Sequence, residues 1–258
     1  MDVLRTLKER CDPKNAALVV VDVQNDFVSP DGSASKRGED CRAAIAMVPN
    51  LLRLIDEGRR IGLTIVYIRT THSEWTDTPS WIYRSSQKGG LSTCREGTWG
   101  AEFYQGIAPL PSERVVIKHR YSAFINTDLN TVLKARNIQS VLVCGVATNV
   151  CVETTARDAY MFDYYVTMID DCSAAYEAKL HLGTLDNMRR HFGLVASSIN
   201  FNKFGTMAIA ALQSSPRLPA LPSGLTKSFW TSTTINAAFF GSHRSFKVFK
   251  TSISTSPF

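Results

Sequence analysis

The sequence predicts an α/β domain with a mostly parallel sheet, and three observations carry that reading. Runs such as AALVVVDV (residues 16–23) and VLVC (residues 141–144) are continuously apolar, as strands covered on both faces must be. Segments with apolar residues at helical spacing separate such runs, and the alternation persists from residue 16 to residue 212. Glycines and the turn signals Ser29-Pro30 and Asp31-Gly32 punctuate the junctions. In open sheets of this kind ligands bind beyond the carboxyl ends of the strands, so the residues at those ends carry the functional question.

Taken in order, the first strand covers residues 16–23 and holds Asp22 at its C-terminal end. A polar loop leads to a helix over residues 41–60, where Ile45, Val48, Leu51, Leu52 and Ile55 share one face and Gly62 closes the segment. A second strand spans residues 63–68. Residues 70–105 then form the longest irregular stretch of the body and hold three of the four tryptophans, Trp75, Trp81 and Trp99, with Tyr83 and Tyr104. A loop of that length is either a binding lid or the cover of a satellite hydrophobic cluster. A short third strand, residues 114–117, ends at Lys118, and a helix over residues 128–136 presents Leu129, Val132 and Leu133. The strand at 141–144 stops at Gly145 before a helix opening near Asn149, which puts Cys151 in a helical first turn. A strand at 165–169, a helix at 174–191, a strand at 194–197 and a helix at 202–212 complete the body.

Residues 214–258 differ in kind. PRLPALPSG breaks the pattern, and the remainder is dense in Ser and Thr with no helical or alternating period, which predicts a poorly ordered appendage to a domain of residues 1–213. Five of the six net positive charges lie in this tail, leaving one for residues 1–213. A body so close to neutral gives no electrostatic reason to expect a nucleic-acid partner. The six cysteines, at 11, 41, 94, 144, 151 and 172, form no CxxC pair and no metal-ligand spacing, as expected of a reduced cytoplasmic protein. The opening MDVLRTLKERCDPKN is too polar for a signal peptide, and no apolar run approaches the roughly 18 residues of a membrane span.

Asp22, Lys118 and Cys151 each fall at a strand's C-terminal end. Separately each has a bland reading: a turn cap, a solvated lysine and a small buried hydrophobe. Together they make an apparatus for nucleophilic attack on a carbonyl-like carbon. Amide hydrogens and the helix dipole would favour a Cys151 thiolate, Asp22 would move the thiol proton, and Lys118 would hold the carboxylate and favour the thiolate. The turn from Gly145 to Cys151 can supply backbone amides to an oxyanion.

VVDVQNDF around Asp22, IKHRYSAF around Lys118 and GVATNVCVETTARDAY around Cys151 together resemble the isochorismatase-like cysteine hydrolases, over roughly residues 15–212. The resemblance implies a three-layer α/β/α sandwich with a mostly parallel sheet and a catalytic triad of Asp22, Lys118 and Cys151. It implies a cis peptide between Val146 and Ala147, with the Ala147 and Cys151 amides facing the oxyanion. Asn25, Phe27, Trp75, Tyr121 and Asn149 are the expected pocket residues. Within the family, KHRYSAFINTDLNTVLKARNI and the cysteine segment are most similar to ureidoacrylate amidohydrolases and to biuret and N-carbamoyl amide hydrolases. These cleave a C–N bond of a small substrate without metal, so no metal or other cofactor is expected. Nicotinamidases of the same superfamily carry an Asp and two His as ligands after the second strand, where this chain offers only His72. The competing expectation is hydrolysis of isochorismate, although classical isochorismatases typically lack the cysteine; some secreted members retain it. Dimers or tetramers are common in the family, which makes a homo-oligomer the expected state.

Overall fold

A computed structural model describes residues 3–200. The helix expected at 202–212 and the appendage at 214–258 lie outside those residues. Among the described residues no helix is long and apolar enough to cross a membrane.

The chain begins with a one-turn helix, α1 (Leu7–Arg10), capped reciprocally by Thr6 and Glu9. Strand β1 (Ala16–Val21) is buried throughout, which is why its sequence shows no alternation. Two short helices follow, α2 (Asn25–Val28) and α3 (Ser33–Lys36), and then the long α4 (Arg42–Ile61). Gly62 ends α4 in the left-handed region, φ 77°, donating its amide hydrogen to Arg59 and Gly58 carbonyls. Next come β2 (Thr64–Thr70), α5 (Pro79–Ser86), β3 (Arg114–Lys118), α6 (Leu129–Ala135) and β4 (Ser140–Val146). The elements of the described residues close with α7 (Glu153–Met161), β5 (Tyr165–Ala174), α8 (Ala178–His191) and β6 (Gly193–Ala196).

All five strand pairs are parallel, in the order β3-β2-β1-β4-β5-β6. Alternate residues of the central strands feed two cores. Leu18, Val20, Leu142 and Cys144 pack on one face against Leu51, Leu54 and Ile55 of α4. Val19, Val21, Val141 and Val143 pack on the other against Leu129 and Leu133 of α6, Ala156 and Ala159 of α7, and Leu185 and Met188 of α8. The fold is therefore a three-layer α/β/α sandwich. At about 1.5–3 kcal/mol for each large apolar side chain fully buried, these two cores dominate its stability.

The chain winds outward from β1 to β3, then returns to β4 on the other side of β1. That reversal opens a crevice at the carboxyl ends of β1 and β4. The two strands meet closely there: Gly145 has φ 119°, and a Cβ on it would lie 2.0 Å from the Val21 carbonyl oxygen. Only glycine satisfies both the dihedral and the contact.

The strand expected at 165–169 and the helix expected from 174 are corrected. β5 runs on to Ala174 because a register shift between Val143 and Gly145 lets Ser173 and Ala174 pair with the end of β4, which delays α8 to Ala178. The long stretch after β2 divides. Its first half contains α5, which buries none of its residues, whereas its second half is clipped to the body. Gln24 bonds Thr70 and Ala101 carbonyls, each at 2.8 Å, and Asp26 accepts from Cys94 N at 2.6 Å.

Candidate active site

Asp22 leaves β1 with φ 52°, a left-handed conformation that aspartate tolerates better than most residues, and its side chain is fully buried. Lys118 ends the edge strand β3, yet only 1 % of it is exposed, because the side chain crosses the end of β2 to reach Asp22. Its Nζ lies 2.7 Å from Asp22 Oδ2 and donates to Thr70 Oγ1 at 2.6 Å and the Arg120 carbonyl at 2.9 Å. Thr70 Oγ1 donates in turn to Asp22 Oδ1 at 3.0 Å. Cys151 Sγ is 3.5 Å from Lys118 Nζ. The structure thus brings Asp22, Lys118 and Cys151 into one cluster, with Thr70 as a fourth member that sequence position alone did not single out. Its signal was there: a hydroxyl residue at the carboxyl end of β2.

The local backbone at Cys151 differs from the expected α-helical first turn. Residues Thr148–Val152 form a wider π turn, with Val152 N bonded to the Ala147 carbonyl at 3.3 Å, and α7 starts only at Glu153. Thr148 fixes this turn against α8 through a 2.9 Å contact between Oγ1 and His181 Nδ1. The peptide between Val146 and Ala147 is cis.

Electrostatics also correct the expectation of a resting thiolate. Burial pushes the Cys151 thiol up to about 12; Lys118 pulls the other way and Asp22 adds to the rise. The thiol is therefore protonated at neutral pH. For Lys118, burial opposes the ammonium, but Asp22 and Cys151 outweigh it and hold the amine above its usual range. Lys118 remains a cation beside a neutral thiol.

Thr70, Lys118 and Cys151 form the floor of a cavity of about 300 Å³; Asp22, bonded to Lys118 and Thr70, does not itself line it. Of the expected pocket residues, Phe27, Tyr121 and Asn149 line it, as do Ala147 and Cys151. Asn25 and Trp75 do not. Asn25 is buried and spends its Nδ2 on the Trp99 carbonyl at 2.8 Å, and Trp75 is 90 % exposed. The tryptophan that does line the cavity is Trp81, on α5, which meets Tyr121 edge-on with centroids 5.2 Å apart. His72 and Tyr176 also line it. The rim is rich in cations: Arg37, Arg84, Lys88 and Arg120, against Glu39 and Glu177. Arg84 and Lys88 make no side-chain ion pair or hydrogen bond among the described residues, whereas Glu177 pairs with Lys179 at 2.8 Å. Among the described residues no group of three or more His, Cys, Asp or Glu is placed to hold a metal ion.

A three-layer α/β/α fold that gathers an acid, a lysine and a cysteine beyond the carboxyl ends of its parallel strands is the arrangement of a class of hydrolases. The Isochorismatase domain model matches residues 16–200, and the chain belongs to that family. It is similar to the ureidoacrylate amidohydrolase RutB of Caulobacter vibrioides, 31 % identical over 76 % of this chain and 94 % of the relative. Among solved structures it is similar to a cysteine hydrolase from Pseudomonas syringae, TM-score 0.68 and 26 % identity, over 76 % of this chain and 94 % of that one. It is also similar to N-carbamoylsarcosine amidase from Thermoplasma acidophilum, TM-score 0.59 and 28 % identity, over 71 % and 96 % respectively.

Proposed function

We propose that the protein is a cysteine-dependent amidohydrolase that cleaves a C–N bond of a small ureido or carbamoyl substrate. The observation that carries this reading is the position of Lys118 Nζ, 2.7 Å from Asp22 Oδ2 and 3.5 Å from Cys151 Sγ, at the floor of the cavity. Asp22 Oδ2 takes no aligned hydrogen bond among the described residues, so it keeps a lone pair for the thiol proton.

Asp22 accepts that proton as Sγ bonds to the substrate carbonyl carbon, and the Lys118 ammonium stabilises the sulfur's developing charge. The carbonyl electrons move to oxygen, facing the amides of Ala147 and Cys151. Collapse breaks the C–N bond, and Asp22 returns the proton to the departing nitrogen as ammonia or an amine. Water then adds to the thioester-like carbon, giving a proton to Asp22, and the thiolate leaves and regains that proton. The sum is amide plus water to acid plus amine, with the enzyme unchanged.

The rim cations support a substrate with an anionic far end, since Arg84 and Lys88 have no carboxylate partner of their own among the described residues. The relatives act on ureidoacrylate and N-carbamoylsarcosine by their names, and both compounds carry such a carboxylate. We assign the activity to residues 1–213, in the cytoplasm, as a homo-oligomer without nucleic-acid or membrane partners.

The test is ammonia release from ureidoacrylate, N-carbamoyl amino acids and biuret, with pyruvate release from isochorismate beside it. Turnover of a ureido acid that falls at least roughly 1,000-fold in Cys151→Ala is expected. Pyruvate release without ammonia would replace the reading with vinyl-ether hydrolysis.

A further inference from the structure

His72 stands in the cavity wall two residues beyond β2 and is 6 % exposed. Its ring stacks on Trp81, with centroids 4.8 Å apart and planes 29° from parallel. The Arg120 guanidinium also lies over the Trp81 ring, 5.3 Å from its centroid. His72 Nδ1 lies 3.5 Å from Asp77 Oδ1, and both atoms are buried without an aligned hydrogen bond. The other carboxylate oxygen of Asp77 pairs with Arg95. His72 Nε2 has no hydrogen-bond partner among the described residues.

Burial holds His72 neutral, pushing it down to about 4; Asp77 resists this, while Lys118, His119 and Arg95 reinforce it. A neutral imidazole has one N–H and one lone pair. A lone pair at Nδ1 would face a carboxylate oxygen and repel it, so the proton belongs on Nδ1. The lone pair then falls on Nε2. Asp77 fixes the tautomer, Trp81 fixes the ring plane, and the product is an oriented acceptor in the cavity wall with no donor among the described residues. An acceptor held in this way is oriented before a ligand with an N–H arrives, so little ordering is left to the binding step.

We infer that His72 is a substrate-binding residue whose Nε2 accepts a hydrogen bond from an N–H of the substrate's ureido or carbamoyl group. This rests on the amide reading above and adds to it. Lys118 and Arg120 offer only donors, suited to oxygen. His72 offers the complementary acceptor, suited to nitrogen, so the site distinguishes an amide from an ester of the same shape.

Two measurements test it. In ¹⁵N-histidine-labelled Cys151→Ala protein, NMR should find His72 protonated at Nδ1 from pH 5 to 8, with the Nε2 resonance moving when a ureido acid is added. An Nε2–H tautomer, or no shift on saturation, overturns the inference. In otherwise native protein, His72→Phe keeps a ring against Trp81 but no acceptor. Its kcat/KM for the ureido acid should fall roughly 10-fold, mainly through KM, while hydrolysis of p-nitrophenyl acetate, which has no N–H, should be unchanged. Asp77→Asn, which no longer demands a donor at Nδ1, should reproduce the selective loss. Equal losses on amide and ester overturn the inference. Native protein that turns over no amide overturns the functional reading itself, whereas native amidase activity indifferent to both substitutions overturns only the role of His72.

Discussion

The floor of the cavity and its roof are built on opposite principles. Asp22, Thr70 and Lys118 at the ends of β1, β2 and β3, and Cys151 just after β4, are between 0 and 8 % exposed, and three of them share one charge and hydrogen-bond network. In the roof, α5 buries none of its residues, and Arg84 in its last turn and Lys88 just beyond it are free of side-chain partners among the described residues. The floor inherits its geometry from sheet register. The roof is held by the Trp81 contacts and by side-chain bonds at its two ends, Arg120 to the Thr76 carbonyl and Thr78, and Arg37 to Thr93. On the proposed function, chemistry sits in the most constrained part of the fold, and selectivity in a part whose local opening costs least.

That contrast can be broken at the ion pair first. Lys118→Met should abolish ammonia release and lower stability by about 3–5 kcal/mol, because Asp22 stays buried without its partner. Adding Asp22→Asn should recover much of the stability in urea titrations and none of the activity. A double variant as unstable as the single one would mean that packing, not charge, holds the floor.

A pH series probes the same region more gently. The folded Cys151 thiol holds its proton up to about 12 against an ordinary value of 9.0, and Lys118 is also raised. Both groups bind protons more tightly folded than unfolded, so their contribution is complete below pH 9 and is lost as pH rises towards 12. The urea midpoint should fall across that window, and iodoacetamide should label Cys151 slowly at pH 7 with a rate still climbing at pH 10. A labelling plateau near neutral pH would return Cys151 to the resting thiolate expected from a helix terminus.

The roof is predicted to respond differently. Arg84→Ala with Lys88→Ala should raise KM for ureido acids roughly 10-fold, leaving kcat, thermal stability and any biuret turnover unchanged. The smallest effect belongs to Trp75→Ala, which should alter kcat/KM by less than about twofold, since a side chain 90 % exposed has little packing to lose. A larger loss would place Trp75 over the substrate after all.

Legibility in the sequence divides along the same line. The unbroken apolar runs of β1 and β4 located the sheet centre, and a polar residue at the end of a buried strand has few roles open to it, so Asp22, Lys118 and Cys151 could be picked out by position. Thr70 was hidden by a boundary: the apolar run of the second strand stops at Ile68, whereas β2 extends to Thr70. The roof was illegible because α5 has no buried stripe, and periodicity reports burial. Trp75 and Trp81 look alike in a string, and only the fold shows which one faces inward. Nor could the string show that Cys151 occupies a π turn, or that burial outweighs the nearby lysine in setting its protonation.

Gly145 gives the comparison a last turn. With a methyl group's clearance missing between it and Val21, the spacing between β1, which leads to Asp22, and β4, which leads to Cys151, is set there by main chain against main chain. No side chain acts as the gauge block at that point. On the proposed mechanism the reacting groups then share a fixed tolerance, and the variety of substrates is left to be machined into the walls.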